Sequence, residues 1–117
     1  MANKPLIEAL KNILADNYAL YLKTQNYHWN VEGPNFNGLH LLFEEQYIAL
    51  AEAIDTAAEL IRALGEKAPG TFDSYIKRTS IKSGNENASS EEMVKELAED
   101  QVLIQKTLQQ CLVLAQK

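Results

Sequence analysis

Apolar residues recur at intervals of three and four along most of this chain, and the runs that keep this rhythm are separated by breaks rich in Gly, Pro and Asn. Leu6, Leu10, Ile13, Leu14, Tyr18, Tyr21 and Leu22 carry it through a first segment of about 5–30, with Lys11, Asp16 and Lys23 falling between them. Such a stripe lets an amphipathic helix bury one side and leave the other in water. Pro5 suits the first turn, where its missing N–H costs nothing, with Asn3 or Lys4 at the cap. Gly33-Pro34-Asn35 breaks the helix, and Asn35 is placed to cap the next. That second helix, over 36–64, carries Leu39, Leu42, Phe43, Tyr47, Leu50, Ile54, Ala57, Ile61 and Leu64, and Gly65 stops it.

The stretch 66–89 holds Pro69, Gly70 and Gly84. So long a connection rarely stays structureless in a compact domain, which predicts a short helix around 71–77 with Phe72, Tyr75 and Ile76 packing inward. Ser89 and Glu92 stand at capping-box spacing and open a third long helix, 90–117, along Met93, Leu97, Ile104, Leu108, Cys111 or Leu112, and Ala115. The expectation is an all-α bundle. Its short first connection makes the first pair of helices antiparallel, and its long crossover leaves the third parallel to the second. The third helix ends without a cap or tail, so a fourth comes from a partner or is absent.

Composition narrows this picture. At 117 residues and 46% hydrophobic, the chain suits one domain, 1–117, with one core. A net charge of −5 argues against a surface built mainly to hold phosphate backbones. No apolar run approaches the ~18 residues of a membrane helix, and the first ten residues lack a signal-peptide core, so a soluble, cytoplasmic protein with no membrane partner is expected. The single cysteine, Cys111, cannot form an internal disulfide and reads as a small buried apolar residue.

The candidate chemistry lies between Asn26 and Glu59, where both histidines and the only tryptophan occur. His40 and Glu44 are one turn apart on the second helix, as are Asp55 and Glu59. At 100° per residue, Glu44, Asp55 and Glu59 lie about 40°, 60° and 100° round from His40, all on one side. The axial separation is the obstacle, since His40 and Asp55 are roughly 22 Å apart along the helix, against metal–ligand distances of ~2 Å. One chain cannot bring both pairs to one ion. A two-fold dimer with second helices crossed antiparallel near Tyr47 and Ile48 would set His40 of one copy opposite Asp55 of the other and build two equivalent sites. His28, across the short turn, completes a set of two imidazoles and three carboxylates, a mixture suited to iron and also open to zinc or manganese. Interior di-iron sites of helical bundles use Glu-x-x-His, whereas Gln25 and Asn37 stand three before His28 and His40 here. A site between subunits is therefore the better reading.

The segments N-Y-H-W-N-V-E-G-P-N-F, L-H-L-L-F-E-E-Q-Y and A-I-D-T-A-A-E-L-I-R-A-L-G resemble the signature of the Dps family, the DNA-binding proteins from starved cells, and the resemblance continues through A-P-G-T-F and S-S-E-E-M-V. It implies a ferritin-like subunit of a hollow, usually 12-subunit shell. Such a shell oxidises Fe(II), typically with hydrogen peroxide, and stores the ferric mineral. By this resemblance the protein is an iron-storage ferroxidase that protects DNA from oxidative damage. His28, His40 and Glu44 match ligands from one subunit, and Asp55 and Glu59 those from its two-fold mate. Glu44 stands where many members carry Asp, which lengthens the arm. Trp29 matches a tryptophan beside the centre, with a role in electron transfer or in packing.

The resemblance also implies a fourth long helix after Lys117, bearing the acidic residues of a three-fold iron-entry pore, so the domain reads as truncated at its C-terminal end. Members that condense DNA carry a lysine-rich N-terminal tail, whereas Met1 to Pro5 holds only Lys4. Two other readings stay open: a nucleoid-associated structural protein that binds DNA, and a truncated helical oligomerisation module with a vestigial metal site. Taken singly, the histidines would be structural, Asp55 and Glu59 solvated surface charges; the joint pattern points to ligands.

Overall fold

A computed structural model describes residues 3–116, which form α1 (Lys4–Asn30), α2 (Phe36–Ala63), α3 (Phe72–Arg78) and α4 (Ser90–Ala115). The fold is the all-helical one the spacing predicts; Lys117, the last residue of the expected third long helix, and Met1 and Ala2 of the N-terminal segment lie outside the described residues. Local chemistry sets the ends. Asn3 caps α1 by accepting the Leu6 N–H at 3.2 Å, with Pro5 in the first turn. Gly65, at φ +98°, takes the left-handed position after α2, where a side chain would be strained. Ser89 and Glu92 form the complete capping box of α4. Asn35 occupies the cap position of α2 but makes no side-chain capping bond, because its φ of −99° and ψ of 18° lie outside the extended region that aims a cap side chain at the helix.

Helix α1 is the centre of the molecule. Bonds between Lys11 and Glu66 at one end and His28 and His40 at the other make α2 antiparallel to it. Asn3 with Leu114, and Tyr27 with Glu96, do the same for α4. α2 and α4 thus run parallel to each other, and among the described residues each packs its backbone on α1 rather than on the other. Side chains fill two core clusters. One, containing Leu20, Tyr27, Phe43, Leu50, Met93, Leu97 and Ile104, lies toward the histidine end. The second gathers Leu10, Ile13, Leu14, Ala57, Ile61 and Cys111.

This arrangement corrects the expected stripes in opposite directions. Having α2, α3 and α4 around it, α1 buries Asp16 and Lys23, which the hydropathy pattern assigns to solvent. Asp16 accepts the Thr79 hydroxyl at 2.7 Å and the Ser80 N–H at 2.8 Å, tying the middle of the crossover, just after α3, to α1. α2 and α4, with one backbone neighbour each, bury narrower arcs. Leu42 is exposed, about 100° round from buried Phe43, and Leu108 is exposed as well. Of the pair Cys111 and Leu112, Cys111 is the buried one, and burial pushes its thiol pKa up. On α3 only Tyr75 packs inward; Phe72 and Ile76 are 83% and 72% exposed, because a helix of barely two turns offers one short face to α1. Tyr18 and Leu22 of α1 are exposed too, facing away from α2 and α4.

Candidate metal centre

Five residues separate α1 from α2. Val31 leaves the helix in an extended conformation at φ −65° and ψ 139°, and Gly33, at φ +110°, turns the chain back. So tight a return sets the last turn of α1 beside the first turns of α2, and His28 meets His40. The rings stack with centroids 3.7 Å apart and planes 18° from parallel. Each reaches across the turn for the other's backbone: His28 Nδ1–H donates to the His40 carbonyl and His40 Nδ1–H to the His28 carbonyl, both at 2.7 Å. A carbonyl oxygen only accepts, so both Nδ1 atoms carry protons, and Nε2 is the nitrogen each ring can turn to a metal. The His28 carbonyl lies in the last turn of α1, where helix geometry supplies no partner, and the bond satisfies it. Phe36 covers the His40 ring at 5.0 Å, and the Tyr47 ring stands edge-on to His28 at 5.2 Å.

This is how histidine is prepared to bind metals: one nitrogen tied to a carbonyl, the tautomer thereby fixed, the other nitrogen available. The two histidines come together as their positions across the turn suggest; the reciprocal carbonyl bonds leave no signature in residue spacing. Glu44 is half-buried one turn beyond His40. Asp55 and Glu59 are exposed further along α2. No three His, Cys, Asp or Glu side chains gather into a metal-holding group among the described residues. Trp29 is 62% exposed and lines an open apolar cavity of about 550 Å³ with Leu22, Phe72, Tyr75 and Ile76.

Sequence reasoning missed a second cluster, on the far side of α1. Lys23, 4% exposed, reaches Asp100 at 2.8 Å and Glu96 at 3.3 Å, and the Tyr27 hydroxyl donates to Glu96 at 2.7 Å. Burial, then the bond to Glu96, pushes the Tyr27 pKa up to about 12. Lys23 and Tyr27 sit one turn apart, as do Glu96 and Asp100, and that double spacing was the available signal.

Residues 7–117 match the ferritin-like domain family, which fixes the class of protein that this helical arrangement represents. Among solved structures, the chain superposes on a Dps protein from Vibrio cholerae with a TM-score of 0.93 at 32% identity, covering 97% of this chain and 71% of that one. That protein is described as one of the ferritin-like diiron-carboxylate proteins. A Dps protein from Bacillus brevis gives a TM-score of 0.94 at 33% identity, over 97% of this chain and 76% of the other. DNA protection during starvation protein 2 of Bacillus anthracis is 37% identical over 114 residues, 97% of this chain and 78% of its own length. A low temperature-induced protein of Nostoc is 40% identical over 96 residues, 81% of this chain, and there the match spans about half of the relative, 54%. The chain belongs to the Dps family of ferritin-like proteins. Among the described residues no helix is long and apolar enough to cross a membrane.

Proposed function

We propose that this chain is an iron-storage and detoxification protein that oxidises Fe(II), with hydrogen peroxide as oxidant, at sites shared by two copies related by a two-fold axis, and so protects DNA from oxidative damage. The observation that carries the reading is the histidine pair, with both Nδ1 atoms committed to carbonyls and both Nε2 atoms left free. Iron is the substrate. Two imidazoles alone hold Fe(II) weakly and give Fe(III), a harder cation, no oxygen ligands. Glu44 supplies one carboxylate from the same copy, and the exposed Asp55 and Glu59 of a second copy supply the others. The middle of the α2 stretch between His40 and Asp55, near Tyr47 and Ile48, becomes the crossing point of the two-fold, so the dimer is part of the chemistry. Trp29, exposed beside the pair, is available to a one-electron partner or to a packing surface. Each peroxide takes one electron from each of two Fe(II) ions and two protons from solvent, and leaves as two waters, which limits hydroxyl radical.

Asp55 and Glu59 are exposed, so Asp55→Asn/Glu59→Gln spares the fold and isolates the shared-site idea. Anaerobic Fe(II) addition followed by peroxide should give ferric absorbance in the parent protein and none in that variant or in His28→Ala/His40→Ala. Mixing the two inactive variants and allowing subunits to exchange should restore about a quarter of the parent activity, since half of random dimers then hold one intact site of two. Ferric formation that survives Asp55→Asn/Glu59→Gln, or a mixture that stays inactive, sinks the two-copy site.

A further inference from the structure

Asn37 stands three residues before His40, the spacing at which helical bundles with an interior iron pair carry a carboxylate. It lies about 60° round α2 from His40, to the same side as Glu44, and roughly 4.5 Å nearer the turn along the axis. Its side chain is exposed. An amide there offers the centre a neutral oxygen. A carboxylate would offer a charged, harder one beside two imidazoles and Glu44, the kind of ligand that iron favours once it is oxidised.

The next residue supplies the means of making that change. Asn37 is the one asparagine in the chain followed by glycine. With no side chain on residue 38, its backbone nitrogen approaches the Asn37 side-chain carbonyl with least obstruction, and the surroundings are open, since a Cβ at Gly38 would meet nothing within 4 Å. In a helix interior that nitrogen would be tied to the carbonyl four residues back. Here it lies in the first turn, where the Phe36 N–H bonds the Gly33 carbonyl at 3.1 Å and the Leu39 N–H bonds the Asn35 carbonyl at 3.0 Å. Gly38 falls between them, at the third helical position, whose N–H is normally taken by the side chain of the cap residue. Asn35 makes no such bond. An uncapped first turn containing glycine leaves its helical geometry at small cost, so the nitrogen is both unoccupied and able to turn toward Asn37.

We propose that Asn37 is a site of spontaneous modification, its amide converted to a carboxylate through the Gly38 nitrogen, and that the new carboxylate joins His40 and Glu44 in holding iron. The second half of the inference rests on the proposed binding of Fe(II) at that centre. The Gly38 nitrogen gives its proton to solvent and bonds to Cγ of Asn37; the bond from Cγ to Nδ2 breaks, and ammonia leaves with a solvent proton. Water then adds to the five-membered imide at Cγ and breaks its bond to the Gly38 nitrogen, which regains a proton. One amide and one water thus become one carboxylic acid and one ammonia, with no electrons exchanged. The acid ionises at neutral pH. Addition of water at the main-chain carbonyl instead gives the β-linked isomer, whose longer backbone does not fit the turn. The aspartate does fit, because its charge faces the positive end of α2.

The test has a metal-free arm and a metal arm. In the first, the protein is held at neutral pH in oxygen-labelled water, and peptide mass spectrometry reads label uptake at each asparagine. Uptake at Asn37 should run ahead of that at Asn85 and Asn87, which are exposed in the crossover, and should slow severalfold in Gly38→Ala, whose methyl group enters open space. Conversion of Asn37 no faster than that of Asn87, or unchanged in Gly38→Ala, overturns the modification. In the second arm, anaerobic Fe(II) binding is compared in freshly prepared parent, Asn37→Asp and Asn37→Gln, with circular dichroism verifying the fold. Asn37→Asp should bind Fe(II) severalfold more tightly, and Asn37→Gln should match the fresh parent. Equal affinities in the Asp and Gln variants overturn the role of the carboxylate at the centre. Absence of Fe(II) binding in all three overturns the iron reading and that role with it, while the labelling result stands on its own.

Discussion

Helix α1 meets its two long neighbours through seams of opposite chemistry. Toward α2, near the turn, the contacts are neutral: stacked imidazoles, carbonyl acceptors, Tyr21 and Tyr47, and apolar side chains. Toward α4, at the same height of the bundle, a lysine, two carboxylates and a phenol are bonded in one network. The neutral seam ties each histidine Nδ1 to a backbone carbonyl across the turn. The charged seam fixes where α4 sits along α1, because charges withdrawn from water are tolerated only in the register that pairs them.

The largest expected effect comes from unbalancing the charged seam. Lys23→Met keeps the length of the side chain and strands Asp100 and Glu96 against an apolar neighbour. A buried pair that loses one partner costs about 3 kcal/mol, the low end being appropriate because Glu96 is partly exposed to water. Urea denaturation should show that loss, and Lys23→Met/Asp100→Leu should recover much of it. If Lys23→Met is as stable as the parent, the network contributes no register and the contrast between the seams is only descriptive.

A smaller effect is confined to alkaline solution. The folded-state pKa of Tyr27, about 12, lies above its ordinary value of 10.0, so folding favours the neutral phenol. That contribution is complete below pH 10 and is lost as pH rises toward 12, through the folded-state value. Stability should therefore decline across this window in the parent, and Tyr27→Phe should flatten the decline. Equal slopes in the two proteins would detach the phenol from the stability of the charged seam.

Much of this fold was legible because helices are written locally. The three- and four-residue rhythm, Gly65 and the Ser89–Glu92 box each report on a few neighbouring residues. The exposed and buried surprises are non-local. The one-turn spacings of Lys23 with Tyr27 and of Glu96 with Asp100 do not say that the two pairs meet, and Asp16 becomes an interior acceptor only because the crossover brings Thr79 and Ser80 onto it. Leu42 and Leu108 are apolar at helical intervals, yet how many neighbours a helix has decides whether they are covered. At the candidate site the residue types and the turn were readable, while the mutual carbonyl bonds that set the tautomers depend on the registry of α1 against α2. Asp55 and Glu59 stay in the proposed half of the site, since their role depends on a second copy.

The smallest expected effect compares how the two outer helices begin. α4 starts with Ser89 accepting the Glu92 N–H and Glu92 accepting the Ser89 N–H, and the Ser89 N–H, then the Ser89 hydroxyl, hold the Glu92 carboxyl pKa below its ordinary value. α2 starts at Asn35 with no side-chain bond, and the turn above it is held instead by the histidine pair. Ser89→Ala should cost about 1 kcal/mol at neutral pH, as the loss of a working cap does. Ser89→Ala keeps the backbone N–H and removes only the hydroxyl's contact with the Glu92 carboxylate, so the difference between parent and variant should shrink in part, not vanish, as pH falls through the depressed pKa. Asn35→Ala should leave stability nearly unchanged, because there is no capping bond to lose. Equal losses at the two positions would mean that Asn35 caps α2 in solution, and that the turn carrying His40 depends on the cap as well as on the paired rings.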